Sequence, residues 1–272
     1  MHAVETKSSH LRRAAAFALA CACVFAAGCA GPQSHHDDAV DDHQPHVPLA
    51  DSSWARASGG AGLDPLSWEH QRLPGKAPVT FRPVRLDGRD ALSATAVSAA
   101  SVVRNKVRIE PQELAAVRFS WKVPALTPSA DLALRDADDS PVRIILAFEG
   151  DRSKFSTKNA MLSELMRALT GEEMPYATLM YVWCNKRQPG TVIPNPRTDR
   201  IRTMVLESGP GQLGRWLDYE RNIRADFEKA FGEAPGALVG VAVMTDSDNT
   251  RSTSRAWYGP LTFTQRTVSA AP

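Results

Sequence analysis

Residues 117–123 constrain the fold more than any other part of the sequence, because their apolar and polar side chains alternate strictly. Successive side chains of a β-strand point to opposite faces, so the alternation predicts a strand with one buried face. Similar apolar patterns predict further strands at 91–97, 101–109, 142–148, 177–184, 201–206, 239–245 and 257–264. Loops separate most of these strands, which predicts a mainly β protein built as an antiparallel β-sandwich.

Two helices are predicted between the strands. The first begins after a capping Ser156 or Thr157 and ends at Gly171, and the second ends at Gly232. Each has an apolar stripe at helical spacing: Met161, Leu162, Leu165, Met166 and Leu169 in the first, and Ile223, Phe227 and Phe231 in the second. We therefore expect two covering α-helices that pack on the sandwich and have no membrane role.

The N-terminus has the composition of an export signal. Arg12 and Arg13 precede a 14-residue uncharged run over 14–27, and a membrane-spanning helix needs about 20 residues. The run ends in Ala26-Ala27-Gly28-Cys29, which resembles the lipobox of bacterial lipoproteins. The resemblance implies a signal peptide over 1–28, lipid attachment at Cys29 and a membrane anchor in the bacterial cell envelope. In enteric lipoproteins an Asp after the lipidated Cys marks retention at the inner membrane, and this chain has Ala30 there. The resemblance therefore favours the outer membrane, facing the periplasm. The alternatives to a lipid anchor are a soluble exported protein and a retained signal anchor.

Residues 29–73 are predicted to be the lipidated Cys and a flexible His/Asp-rich tether, with a span of about 35 Å. The alternative hypothesis for residues 35–46 is that their histidines and acidic residues bind a divalent metal weakly. Seven acidic residues and one basic residue give 30–70 a charge of −6. Because 29–272 is neutral, residues 71–272 carry +6, without a compact Lys/Arg run that would indicate nucleic acid. Residues 74–267 are predicted to form a single domain.

The positions of the histidines and cysteines limit the chemistry of that domain. All seven histidines lie at or before His70, which argues against histidine-based hydrolysis and histidine-ligated zinc. Cys184 is its only cysteine, so it has no internal disulfide. We therefore predict no catalytic residues, and the enzyme alternative would need paired carboxylates such as Asp138-Asp139 or Glu172-Glu173.

Two kinds of residue suggest a ligand site in the loops. Asp246, Asp248 and Asn249 provide side-chain oxygen atoms in a pattern like the start of a calcium-binding loop. An EF-hand loop would then need Gly at position six and Glu at position twelve, where this chain has Arg251 and Trp257. The pattern predicts either a calcium site of another kind or a turn, and no other cofactor is expected. Trp183, Trp257 and Tyr258 lie at strand ends, where aromatic rings either stack on sugars or pack in the core.

The segments 175–183, 205–209, 221–232 and, above all, Val243-Met244-Thr245-Asp246-Ser247-Asp248-Asn249-Thr250 with Trp257-Tyr258-Gly259 resemble a bacterial family, the domain of unknown function numbered 3047. The resemblance spans about residues 75–265. It implies a strand order similar to galactose-binding-like jelly rolls, which often bind sugars, and it implies no established activity.

These observations predict a lipid-anchored cell-envelope protein that is a non-catalytic binding module for a glycan or another envelope component. The predicted ligand residues are Trp183, Asp246, Asp248, Asn249, Trp257 and Tyr258. Two alternatives stay open: a carboxylate-based carbohydrate-active enzyme, with or without calcium, and a structural lipoprotein that docks a protein partner.

Overall fold

The computed structural model describes residues 68–265, and the predictions for the signal peptide, Cys29 and most of the tether lie outside them. The described residues form 13 strands and two α-helices. In chain order these are β1 (Glu69–Arg72), β2 (Thr80–Leu86), β3 (Arg89–Val97), β4 (Ala100–Ile109), β5 (Leu114–Lys122), β6 (Arg143–Phe148), α1 (Thr157–Thr170), β7 (Ala177–Cys184), β8 (Val192–Pro194), β9 (Ile201–Ser208), β10 (Trp216–Asn222), α2 (Ile223–Phe231), β11 (Leu238–Asp246), β12 (Thr253–Tyr258) and β13 (Thr262–Gln265).

The strands form two packed sheets, which confirms the predicted β-sandwich. The larger sheet has the order β1-β4-β11-β6-β7-β9-β8, and the smaller has the order β10-β5-β12-β3-β2, with β13 also paired to β5. The paired strands run antiparallel except for β7 and β9, which are parallel. This exception arises because the chain leaves β7, forms the edge strand β8 and turns back, so that β9 starts beside the start of β7.

The core lies between the sheets and is rich in aromatic side chains. Phe119 packs between Tyr181 of the larger sheet and Tyr219 of the smaller, with ring centroids 5.8 and 5.5 Å apart. Trp121 of β5 is fully buried beside them. The alternation of residues 117–123 thus has the predicted role, because its apolar members all point into this core. Residues 68–265 therefore enclose a hydrophobic core of their own.

The two helices differ in how they pack. α2 covers one end of the sandwich as predicted: Ile223 and Phe227 are buried, and the Phe227 ring lies 4.7 Å from that of Phe148. α1 does not pack by its apolar stripe, because its buried residues are Asn159 and Ser163. Met161, Leu165, Met166 and Leu169 of that stripe are exposed to solvent, which corrects the predicted packing of the stripe on the sandwich. No helix among the described residues is long and apolar enough to cross a membrane.

The sandwich begins before residue 74, the predicted end of the tether. Trp68 is buried in the core, and β1 pairs with β4 at the edge of the larger sheet. His70 of β1 lies 2.8 Å from the hydroxyl of Ser101, and that hydroxyl also accepts a hydrogen bond from the Val79 amide. Ser101 is fully buried, so the contact between His70 and Ser101 fastens the edge strand instead of forming a nucleophile.

Candidate functional site

Two of the aromatic residues predicted to bind a ligand belong to the core. Trp183 and Tyr258 are each about 1% exposed, so neither ring can stack on a sugar. Trp183 points inward with Leu179 and Tyr181 on β7, and its indole N–H bonds to the Gly209 carbonyl. The period of the strand already carried this signal, since Trp183 has the same parity as those two buried residues. This finding overturns the predicted ligand role of both aromatic side chains.

Asp246 is also buried, at the end of β11, where it pairs with Arg143 of β6. The Arg143 Nη2 and Nε atoms lie 2.9 and 3.0 Å from the two carboxylate oxygens, and the Ser140 amide donates a third bond at 2.9 Å. Burial raises the pKa of Asp246, and the bonds from Arg143 and Ser140 oppose the rise. The carboxylate is thus already fully engaged by the protein, which makes Asp246 a structural residue.

Asp248 and Asn249 lie in the turn that leads to β12. The Asn249 side-chain amide donates to the Asp139 carboxylate at 3.1 Å, and both the amide and the hydroxyl of Thr250 donate to it at 2.7 and 2.6 Å. Asp248 pairs with Lys76. Carboxylate oxygens of Asp139, Asp246 and Asp248 come within 4.8 Å of one another. Because each already has a cationic or N–H donor, this geometry holds the loop in place, and calcium binding here stays a prediction.

Trp257 is the predicted aromatic residue that remains accessible to solvent. It lies on the outer face of the smaller sheet beside Lys122, with Trp216 on the other side of that lysine. The Trp216 indole N–H and the Lys122 ammonium both donate to Asp87, at 3.1 and 2.7 Å. Asp246, by contrast, is buried with Arg143 at the end of the larger sheet. The structure therefore does not assemble the predicted residues into one site.

A broad groove crosses the outer face of the larger sheet, with a volume of about 1030 Å³. Small side chains on β6 and β11 form its floor, among them Ala147, Gly240 and Ala242. A register shift in β11 between Leu238 and Gly240, against both neighbouring strands, bends the floor at this point. The floor of the groove is therefore apolar and lined by small side chains. The side chains of the groove walls then determine which ligands the groove can bind.

The walls of the groove are polar and charged. One wall is the outward row of β4, and the other is the loop that joins α1 to β7 together with the segment after β6. Four basic and four acidic side chains line them: Arg104, Lys106, Arg108 and Arg152, and Glu110, Glu149, Glu172 and Glu173. The groove thus has no net formal charge.

Glu172 connects the two walls. Its carboxylate accepts hydrogen bonds from Arg104 Nη2 at 2.9 Å and from Lys106 Nζ at 3.0 Å. Those bonds, opposed by partial burial, lower the pKa of Glu172 to about 2. The Nε atom of Arg104 is buried without a hydrogen-bond partner in the described part of the chain. Glu172 therefore stays ionised, and the β4 wall retains one N–H donor that the protein does not satisfy.

Sequence reasoning missed this groove, although β4 contained a signal. Arg104, Lys106 and Arg108 stand at every second position of a strand whose other residues are largely buried. Such a pattern places three cations in one row on one face of a sheet. No sequence pattern marked the residues of the floor. Ala and Gly occur in both buried and exposed strands, and only the order of the strands in the sheet brings these residues together.

Two packed sheets around one core, with a groove across one outer face, define a β-sandwich protein with a ligand-sized surface depression. The chain belongs to the family described as protein of unknown function DUF3047, whose model matches residues 66–262. This match confirms the resemblance found in the sequence. No curated protein matches the chain significantly.

Solved structures with a similar fold include two carbohydrate-related domains. One is the family 11 carbohydrate-binding module of the cellulosomal cellulase Lic26A-Cel5E of Clostridium thermocellum, at 8% identity and a TM-score of 0.36, covering 74% of this chain and 89% of that one. The other is the xyloglucanase domain of NopAA, a type three effector from Sinorhizobium fredii, in complex with cellobiose. It has 8% identity and a TM-score of 0.39, and covers 73% of this chain and 93% of that one. At this level of similarity neither structure indicates what this chain binds.

Proposed function

We propose that this protein is a lipid-anchored glycan-binding module of the bacterial cell envelope, and that the groove on the larger sheet binds an uncharged saccharide chain. The observation that carries the proposal is the combination of an apolar floor, at Ala147 and Ala242, with polar walls in one groove of about 1030 Å³. Sugar rings have apolar faces and hydroxyl edges. The floor suits the faces, and the side chains of the walls suit the hydroxyl groups.

The charge of the groove favours a neutral ligand. Four carboxylates face four cations, and the cations are already paired, as Arg108 is with Glu110 and Glu149. A polyanionic ligand would meet repulsion from the carboxylates that cancels its attraction to the cations. The hydroxyl groups of a sugar can bond to these charged side chains while the ion pairs stay in place. Any loosening of the exposed pairs costs little, because exposed ion pairs contribute little free energy.

The enzyme alternative gains no support from the groove. A glycosidase that cleaves through two carboxylates needs one of them protonated, with a raised pKa. Glu172 has the opposite property, because Arg104 and Lys106 lower its pKa to about 2. Its neighbour Glu173 is paired with Arg152 at 2.9 Å. These acids support the positions of groove cations, which fits a binding module.

The anchored part of the proposal rests on the N-terminal sequence. Cys29 follows a basic start and a 14-residue apolar run, the order found in lipoprotein signals. A diacylated Cys would hold the protein on a membrane stably, because two acyl chains bury many methylene groups. We place the protein at the outer membrane, facing the periplasm, where its glycan would be part of the envelope.

Substituting a large side chain into the groove floor tests the proposal. The chain from residue 30 onwards is titrated calorimetrically with cellohexaose and maltohexaose, and with hexagalacturonate as an anionic comparison. Ala147→Trp fills the floor, and Thr95→Trp adds the same side chain to the outer face of the smaller sheet as a matched control. We expect a neutral oligosaccharide to bind the parent and Thr95→Trp, and to bind Ala147→Trp at least about tenfold more weakly. Equal binding to both variants, or preferential binding of the anionic chain, would contradict the proposal.

A further inference from the structure

Helix α1 presents its apolar side to solvent. Met161, Leu165 and Leu169 follow one another at helical spacing and are 69%, 53% and 58% exposed, and Met166 is 39% exposed. These four belong to the six large apolar side chains that are exposed within residues 68–265. Such a concentration on one helix face is unusual for a surface that meets only water.

Polar contacts on the opposite side fix this orientation. The side-chain amide of Asn159 donates to Asp199, and its carbonyl accepts from Thr198 at 2.8 Å. The Ser163 hydroxyl accepts from Arg152 at 3.1 Å. Rotating the helix to bury its leucines would strip buried Asn159 and Ser163 of their partners, which is costly. The exposed apolar face is therefore a fixed feature of the domain.

The residues beside the start of α1 are basic. Among residues 151–158, Arg152, Lys154 and Lys158 stand against Asp151 alone, a net charge of +2. All four side chains are exposed. An apolar helix face flanked by lysines is the composition of helices that lie in the interface of a membrane with anionic lipids.

The far end of α1 lies close to the point where the chain enters the fold. Arg104 bonds to Glu172, two residues beyond the end of α1, and reaches Glu69 of β1 at 3.5 Å. Trp68, the residue before β1, is the first of the described chain. The described chain therefore begins next to the loop that follows α1.

We propose that α1 docks the domain on a lipid bilayer, with Met161, Leu165 and Leu169 in the boundary between headgroups and acyl chains and Lys154 and Lys158 against anionic headgroups. The proposal rests in part on the proposed lipid anchor at Cys29. The anchor keeps the helix close to the bilayer, and the partitioning of α1, which the domain also shows without the anchor, then orients the domain. Oriented in this way, the groove beside α1 keeps a constant direction relative to the membrane.

The test separates the helix from the lipid. Residues 68–265 enclose their own core, so the chain from residue 30 onwards should fold by itself. It contains α1 but lacks Cys29, and therefore carries no acyl group. It is sedimented with vesicles of phosphatidylethanolamine and phosphatidylglycerol, and with vesicles of phosphatidylcholine alone. Leu165→Glu/Leu169→Glu removes the apolar face, and the matched control Val97→Glu/Leu134→Glu places the same charges at two exposed apolar positions elsewhere.

We expect the parent and the control to bind the anionic vesicles, and the α1 variant to bind at least about tenfold more weakly with an unchanged unfolding midpoint. Binding of the parent to phosphatidylcholine alone should be weaker, since the lysines then have no anionic partner. No binding of the parent, equal losses in both variants, or a dimer of the parent that the α1 variant abolishes would overturn the proposal. Oligosaccharide titrations of the same variants test the groove separately, because the leucines do not line it.

Discussion

Arg143 and Asp246 form a buried ion pair at the end of the larger sheet, with both carboxylate oxygens bonded to the guanidinium and both side chains at most 5% exposed. Arg143 also bonds the carboxylate and carbonyl of Asp138. Through these contacts the pair joins β6, β11 and the loop before β6. Asp246 therefore has a structural role in the described part of the chain, whereas ligand or calcium binding at Asp248 and Asn249 stays a prediction.

Removing one partner of this pair should destabilise the domain strongly. Arg143→Met leaves an uncompensated buried carboxylate, and the expected loss in free energy of unfolding is about 3–5 kcal/mol at neutral pH. Arg143→Met/Asp246→Leu should lose less than Arg143→Met alone, since no charge is then buried. Urea unfolding followed by tryptophan fluorescence measures both, and a loss below about 1 kcal/mol in Arg143→Met would contradict the structural role.

The same variant should respond to pH in a defined direction. Burial raises the pKa of Asp246, and the loss of Arg143 removes the main opposing contact. A carboxyl whose folded-state pKa lies above its unfolded value of about 3.9 contributes stability that is present at low pH and lost as pH rises. In the folded parent Asp246 has a pKa of about 6, so the stability gap between Arg143→Met and the parent should widen only above about pH 6, where the parent carboxylate is ionised beside Arg143 and the variant carboxyl is still protonated. A constant gap would show that Asp246 is not the group responsible.

Glu172 should titrate at low pH because of its two cations. Its pKa of about 2 lies below the ordinary value of 4.5, so its contribution to stability is present above pH 4.5 and is lost as pH falls through about 2. Arg104→Gln should raise the pKa towards 4.5. Carboxyl carbon NMR during a pH titration measures both midpoints, with Arg118→Gln on the other sheet as the control. A midpoint near 4.5 in the parent would contradict the bridge between the groove walls.

Gly150 allows a buried aromatic ring to approach the backbone at one end of the groove. A Cβ atom there would lie 2.1 Å from Cδ1 of Tyr176, whose ring stacks on Phe155. Gly150→Ala should therefore cost about 1–3 kcal/mol of stability through overpacking. Gly211→Ala is the control, because a Cβ at Gly211 meets nothing within 4 Å. Thermal unfolding distinguishes the two, and equal midpoints would show that the ring moves aside freely.

Strands were predictable where one face is buried and the other is wet. β3 to β6 follow from such patterns. β7, β9 and β11 follow from continuous apolar runs, and β7 is buried on both faces. β10 was missed because Trp216–Asn222 follow a glycine-rich turn and lead straight into α2, so their alternation is short. The predicted strand at 257–264 is divided between β12 and β13, because Pro260 has no N–H to give to a ladder.

The groove and the orientation of α1 depend on tertiary contacts that no local pattern contains. The apolar stripe of α1 predicted a buried face, but Asn159 and Ser163 are buried instead. Asn159 finds its partner in the distant loop before β9, and Ser163 accepts from Arg152 in the segment before α1. Trp183 and Tyr258 were assigned to a site by residue type, whereas their parity with Tyr181 and Ala256 indicates the core. Parity along a strand was the better guide there.

The anchor is testable by metabolic labelling with a radioactive fatty acid. The full chain should take up label, and Cys29→Ser should not, because the acyl groups are expected on that sulfur. Cys184→Ser is the control and should keep the label, since Cys184 is buried in the folded domain. Persistent label in Cys29→Ser would exclude the proposed attachment site.

Amide chemical-shift mapping of the chain from residue 30 onwards, during titration with cellohexaose or maltohexaose, tests the binding groove most directly. The proposed binding groove predicts shifts that cluster at the outer faces of β4, β6 and β11, at Arg104, Ala147 and Ala242, and at Glu172 across the groove. Amides around Asp246 and Asp248 should stay unchanged. Shifts confined to the Asp248 loop or to Trp257, with none in the groove, would contradict it.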